Sequence, residues 1–213
     1  LPLPEIARRL FKTPVLPPVP TRPRNVSNLL LRAEGLRKEF AVRARINGTV
    51  GRVAAVDDVH LDIRRGESVG VVGESGSGKS TLARLLAGLL APDAGTVAFY
   101  PESEAGKISP AGRGYRRYVQ LLHQNPDTML HPRVSVGGLC TDSMELWRDR
   151  CRFRRVQDFL EFAQLEESRS AQLSASLSGG ERRRVGLARV LAGRPELVLA
   201  DEIVSGLDRV LQA

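Results

Sequence analysis

The chain has 213 residues, 42% of them hydrophobic, and a formal net charge of +8, which is enough material for one large domain or two small ones. No apolar run approaches the roughly 20 residues that a membrane-spanning helix needs, and no basic-then-apolar leader opens the sequence, so a cytoplasmic protein is expected, with docking onto a membrane protein left open. The two cysteines, Cys140 and Cys151, make neither a metal spacing nor a disulfide framework, and a reducing compartment follows.

In chain order, residues 1–28 are rich in proline (Pro2, Pro4, Pro14, Pro17, Pro18, Pro20, Pro23) and read as an extended linker, with a short helix near Ile6–Phe11. Leu29–Val42 reads as the first strand, and Asn47-Gly48 gives a turn signal. Val59, Leu61 and Ile63 alternate with His60 and Asp62, the period of a half-buried strand with His60 on its outer face. Ser68–Val72 has the composition of a buried strand, and Leu82–Ala87 that of a packed helix. The turn Pro92–Gly95 precedes a strand at Thr96–Tyr100, and a second strand is expected at Tyr118–His123. Asp127–Gly138 reads as a loop. Phe153, Val156, Phe159, Leu160 and Ala163 recur at helical spacing and predict an amphipathic helix over 152–167. Leu177–Glu181 opens a further helix that runs to Ala192 and is ended by Gly193 and Pro195. Leu197–Ala200 is a buried strand that stops at Asp201-Glu202, and Ser205–Asp208 is a turn.

The chemistry is concentrated at Gly73-Glu74-Ser75-Gly76-Ser77-Gly78-Lys79-Ser80-Thr81, which matches the phosphate-binding pattern Gly-x-x-x-x-Gly-Lys-Ser between a strand and a helix. Gly73, Gly76 and Gly78 let the backbone curl until its N–H groups converge on an anion. The helix that follows adds its unpaired N–H groups and its positive dipole end. Lys79 can reach the β- and γ-phosphates, and Ser80 can offer its hydroxyl to Mg²⁺. Downstream, Asp201 suits a second Mg²⁺ anchor acting through water, and the adjacent Glu202 can activate the attacking water as general base. Ser178-Gly179-Gly180 at a helix start makes another anion site from N–H groups and a hydroxyl. The same residues with Glu181 also read as an ordinary capping box, and the two readings are compatible. Two anion sites but one nucleotide suggest that the second site serves a nucleotide held by a partner subunit.

The ordered set Gly73–Thr81, Gln124, Leu177–Glu181, Leu197–Glu202 and Ser205–Asp208 resembles the nucleotide-binding subunits of ABC transporters, where these are Walker A, Q-loop, signature, Walker B and D-loop. Gln124-Asn125-Pro126 and His131–Val136 are similar to the extended Q-loop of the prokaryotic peptide and nickel importers. The resemblance implies ATP and Mg²⁺ as cofactors, with Lys79, Gln124 and Glu202 in catalysis and Ser80, Gln124 and Asp201 toward the metal. It places Phe40 at the aromatic position that stacks on adenine, whereas a phenylalanine near a strand is otherwise a core residue. It further implies a head-to-tail dimer with a like or different second cassette, membrane permease subunits as partners and, indirectly, a solute-binding protein. The implied location is the cytoplasmic face of a prokaryotic cell membrane.

The fold expected is α/β: a P-loop ABC ATPase core with a mixed sheet around the phosphate loop, an N-terminal antiparallel β subdomain and an inserted helical subdomain of about 136–192, all within a cassette of residues 29–213. Three departures from the family pattern stand out. Glu181 occupies the usual glutamine position, Ile203 stands where proline follows the glutamate, and the family's switch histidine lies beyond the D-loop, so the cassette reads as C-terminally incomplete. His60, His123 and His131 cannot replace it by position.

The rival readings are a non-transport ABC ATPase acting on ribosomes or nucleic acid, and an inactive truncated cassette. The basic excess is mostly spread-out arginine, with small clusters at Arg152-Arg154-Arg155 and Arg182-Arg183-Arg184. That distribution favours a solvated face and a nucleotide ligand over a nucleic-acid groove. Met129, Leu130, Val134, Val136 and Leu139 read either as an exposed patch for a protein partner or as the core of the helical subdomain.

Overall fold

The structure, a computed structural model, describes residues 28–43, 50–103, 106–112, 114–123 and 129–201. The proline-rich stretch, Gln124, Glu202 and Ser205–Asp208 lie outside these. The described residues fall into two compact units, divided between Tyr118 and Val119.

In the first unit β1 (Leu29–Arg43) pairs antiparallel with β2 (Val50–Arg64) on one edge and with β3 (Ala94–Phe99) on the other, in the order β2-β1-β3. Leu31 and Ala33 are buried, as period two requires, but the next buried residue is Leu36. The extra residue is absorbed at Gly35, whose φ of +59° lets three residues of β1 span two of β2, a β-bulge. The pairing shifts again on either side of Lys38, then settles with Phe40 opposite Val53. His60 lies on the exposed face, as its alternation with buried Ile63 predicts.

Helix α1 (Lys79–Leu86) buries Leu82, Leu85 and Leu86. A single helical turn, Tyr115–Tyr118, brings Tyr115 into full burial, where its hydroxyl donates to the Leu86 carbonyl and burial raises its pKa. The Phe99 ring meets Tyr115 edge-on at 5.8 Å and stacks with Tyr118 at 5.9 Å. One aromatic cluster therefore fixes the end of β3 against the end of α1.

The buried strand expected at Ser68–Val72 does not form. No ladder includes these residues, and Val69, Val71 and Val72 are 43%, 52% and 95% exposed. A valine-rich run becomes a strand only where its N–H and C=O groups find a neighbour, and no described strand pairs with this one. The mixed sheet expected around the phosphate loop is accordingly replaced, among the described residues, by the antiparallel sheet and a separate parallel pair.

That pair, β4 (Val119–Leu122) and β5 (Leu197–Ala200), belongs to the second unit and runs in register from Val119 opposite Leu197 to Leu122 opposite Ala200. Three helices, α2 (Val136–Trp147), α3 (Val156–Phe162) and α4 (Gly179–Ala192), enclose a core that includes Val136, Leu139, Cys140, Phe153, Phe159, Leu160, Val185 and Ala188. Helix α3 is shorter than its hydrophobic period suggests. The Asp158 carboxylate accepts from the N–H groups of Arg154 and Arg155 and so sets its start. Gln164, at φ +53°, turns left-handed and ends it, with Leu165 N–H donating to the Leu160 carbonyl. Phe153 thus packs from an irregular segment, edge-on to Phe159 at 5.2 Å and to Phe162 at 5.4 Å.

Helix α2 begins inside the stretch read as a loop. Ser135 is its N-cap, with Oγ accepting from Gly138 N–H at 3.1 Å. Leu130, Val136 and Leu139 are buried in this core, with Met129 and Val134 packed against it. The apolar stretch after Gln124 is therefore core, and the exposed-patch reading is corrected. Both cysteines are free and buried, and burial pushes the Cys140 thiol up to about 12. At that value the group is an inert apolar filler.

Candidate functional site

The phosphate loop lies in the first unit. Gly76 and Gly78 have φ of +84° and +93°, and Gly78 is the N-cap of α1 without any side-chain cap bond. A Cβ at Gly78 would lie 1.9 Å from the carbonyl oxygen of Ala55 on β2, so the turn passes so close to the sheet that only glycine fits. Around Gly76 nothing lies within 4 Å of a Cβ position. A left-handed curl, an uncapped helix start and a clear approach are what an anion-binding backbone requires. Lys79 folds back over the loop, its Nζ donating to the carbonyls of Gly73 at 2.8 Å and Glu74 at 2.6 Å and contacting Ser77 Oγ at 3.4 Å. Ser80 follows it in the first turn of α1, half-buried, and Thr81 completes the motif.

Phe40 is 42% exposed on β1 and its cross-strand partner Val53 is 55% exposed. Val53 precedes Ala55 by two residues, about 7 Å along a strand, and Ala55 is the residue beneath Gly78. An exposed aromatic and an exposed valine therefore stand on the strand pair whose Ala55 carbonyl underlies Gly78, in place of the core phenylalanine that the residue alone suggests.

In the second unit Ser178, Gly179 and Gly180 are exposed at the start of α4. Ser178 is the N-cap of a complete capping box: its N–H donates to Glu181 Oε2 at 2.8 Å and its Oγ accepts from Glu181 N–H at 3.3 Å. The N–H of Ser178 holds the Glu181 carboxyl below its ordinary range, with help from the Ser178 hydroxyl. A depressed folded pKa means that this contribution is present at neutral pH and lost as pH falls through the carboxylate range. Glu181 thus closes the box, and nothing lies within 4 Å of a Cβ at Gly179. Ser178→Ala is expected to lower stability by about 1 kcal/mol, read as a shifted urea midpoint by circular dichroism; an unchanged midpoint would mean the cap contributes nothing.

Asp201 follows β5, half-buried, with its N–H donating to the Leu122 carbonyl of β4 at 3.1 Å. The parallel register thus brings Asp201 to the end of β4, two residues before Gln124 in sequence. Several basic side chains of this unit are committed internally. Arg182 donates to the Leu177 carbonyl, Arg184 Nε to Ala163 at 2.8 Å, and Arg189 to Met129. Arg155 pairs with Asp158, and Arg152 lies 5.4 Å from the Phe162 ring. The acceptors of Arg182, Arg184 and Arg189 are backbone carbonyls, for which the sequence carries no signal.

A glycine-curled loop, its lysine and the helix that follows have the backbone geometry of a phosphate-binding loop. The family model described as ABC transporter matches residues 56–205, and the chain belongs to that family. It is 38% identical over 192 residues to the probable peptide ABC transporter ATP-binding protein y4tS of Sinorhizobium fredii, covering 88% of this chain and 54% of that protein. It is 37% identical over 168 residues to the oligopeptide transport ATP-binding protein OppF of Bacillus subtilis, covering 76% and 55%. The chain thus spans about half the length of these curated relatives. Among solved structures it is similar to the dimeric ATP-binding cassette MJ0796 in a post-hydrolysis state bound to ADP and Pi, with a TM-score of 0.65, 26% identity, and 85% of this chain and 77% of that one covered.

Proposed function

We propose that this chain is the ATP-binding and hydrolysing part of a cassette that energises an ABC importer of peptides, nickel or related small solutes. The observation that carries the reading is the phosphate loop, whose left-handed glycines, uncapped helix start and folded-over Lys79 fit a nucleotide triphosphate. Gly73–Thr81 would hold its phosphates and Phe40 its base, with Ser80, Gln124 and Asp201 serving Mg²⁺. When bound, Mg²⁺ neutralises charge developing on the terminal phosphate. Glu202 is the general base for the attacking water, and Lys79 stabilises the transferring group electrostatically.

Ser178–Gly180, exposed and open, would complete the site of a second cassette, identical or different, in a head-to-tail dimer. The permease subunits and, through them, a solute-binding protein are the further partners, which places the chain on the cytoplasmic face of the membrane. The internal commitment of Arg152, Arg155, Arg182, Arg184 and Arg189 supports this reading over a nucleic-acid-binding one, since those arginines meet carbonyls, a carboxylate or an aromatic ring of their own unit. The test is Glu202→Gln in the natural full-length protein. Blocking hydrolysis should trap a dimer that appears on size-exclusion chromatography only with Mg-ATP. A monomer with ATP demonstrably bound would exclude the shared site.

A further inference from the structure

Asp93 lies between α1 and β3 with its side chain 46% exposed, and by itself reads as a surface acid. Its contacts are concentrated on one strand. Oδ1 accepts from Lys38 Nζ at 2.7 Å, Oδ2 accepts from the Glu39 N–H at 2.7 Å, and its own N–H donates to the Arg37 carbonyl at 2.8 Å. One residue therefore holds the three residues that immediately precede Phe40. They are the stretch of β1 whose pairing with β2 is irregular, with register shifts between Leu36 and Lys38 and between Lys38 and Glu39. Where the ladder to β2 is interrupted by those shifts, the Asp93 contacts hold the same three residues from the β3 side. Lys38, only 15% exposed, also stands with Nζ 6.0 Å from the Phe40 ring centroid, at the outer range of a cation–π contact.

We propose that Asp93 is a positioning residue for the nucleotide base: by fixing Arg37–Glu39 it sets the Phe40 ring and so governs base affinity without touching the nucleotide. The inference rests on the reading above, in which the loop binds ATP and Phe40 receives its base. A purely structural role for Asp93 would weaken every ligand of the loop alike; a positioning role weakens only ligands that carry a base.

The test compares Mg-ATP with magnesium tripolyphosphate, which has the phosphates and no base, by isothermal titration of the wild-type chain and of Phe40→Ala, Asp93→Ala, Asp93→Asn and the Asp93→Ala/Phe40→Ala double variant. Phe40→Ala is expected to weaken ATP about tenfold, the scale of one base stacked on an aromatic ring. Asp93→Ala should weaken ATP about fivefold or more, and Asp93→Asn, equal in size to aspartate, should fall between it and wild type. All variants should bind tripolyphosphate as wild type does, and the double variant should be no weaker for ATP than Phe40→Ala. ATP affinity within about twofold of wild type for both Asp93 variants, an equal loss for tripolyphosphate, or full additivity with Phe40→Ala would overturn the proposal. Wild-type chain that binds neither ligand would instead overturn the nucleotide-binding reading itself, so the two failures are distinct.

Discussion

Lys79→Ala is expected to weaken Mg-ATP binding by about a hundredfold or more, on the scale of losing two charge-assisted hydrogen bonds to phosphate. The ammonium is the side-chain cation that the loop itself carries, and its present bonds to the carbonyls of Gly73 and Glu74 hold it over the curl. Those carbonyls are strong enough acceptors to keep the charge in place and too weak to compete with a terminal phosphate. Lys79→Arg should also lose affinity, because a planar guanidinium cannot replace a compact ammonium above a tight turn. Isothermal titration with a slowly hydrolysed ATP analogue gives the affinity, and a thermal melt without ligand shows whether the fold is kept. Unchanged affinity in folded Lys79→Ala would remove the loop from nucleotide binding.

Phe159→Ala is expected to destabilise the second unit by about 3–5 kcal/mol. The ring is fully buried at the centre of the core formed by α2, α3 and α4 and packs edge-on against Phe153. Its removal leaves a cavity that the surrounding helices can fill only in part, since Phe153 packs from a segment fixed by Arg152 N–H to the Ala192 carbonyl at 2.7 Å. A loss of 3–5 kcal/mol is a large share of the stability of an ordinary domain. Chemical denaturation followed by circular dichroism should show the midpoint falling, or an unfolded second unit. A loss below about 1 kcal/mol would mean that the core is not packed as described.

Phe159, Leu160 and Ala163 announce their burial in the sequence because helical spacing repeats them on one face. The ends of their helix are not announced, because they depend on where the Asp158 carboxylate finds N–H groups and on Gln164 adopting a left-handed turn. Helix α2 opens the helical subdomain expected from about residue 136, but its first turn fell within the stretch read as a loop, because Gly137 and Gly138 lower helix propensity there; Ser135 as an N-cap was the signal for its start. The converse failure is at Ser68–Val72, where β propensity is high and no described strand supplies the ladder.

Of the candidate site, the left-handed curl at Gly76 and Gly78 and the helix start at Ser178 were legible because glycine and serine encode that backbone geometry directly. Phe40 could be read from its residue type as core and from the family resemblance as the base-stacking aromatic; the structure shows its ring 42% exposed, paired across the strands with Val53. Asp93 had no signal at all, since its partners come from a strand more than fifty residues earlier.

The central claim, that Gly73–Thr81 is the nucleotide site of this chain, is tested most directly by amide hydrogen exchange of the wild-type chain with and without saturating Mg-ATP. The N–H groups of the curl and of the first turn of α1 are the groups that would bond the phosphates. Protection is therefore predicted to appear in peptides covering 73–81, and to be reproduced by magnesium tripolyphosphate. Saturable ATP binding that leaves those peptides exchanging at their ligand-free rate would contradict the account.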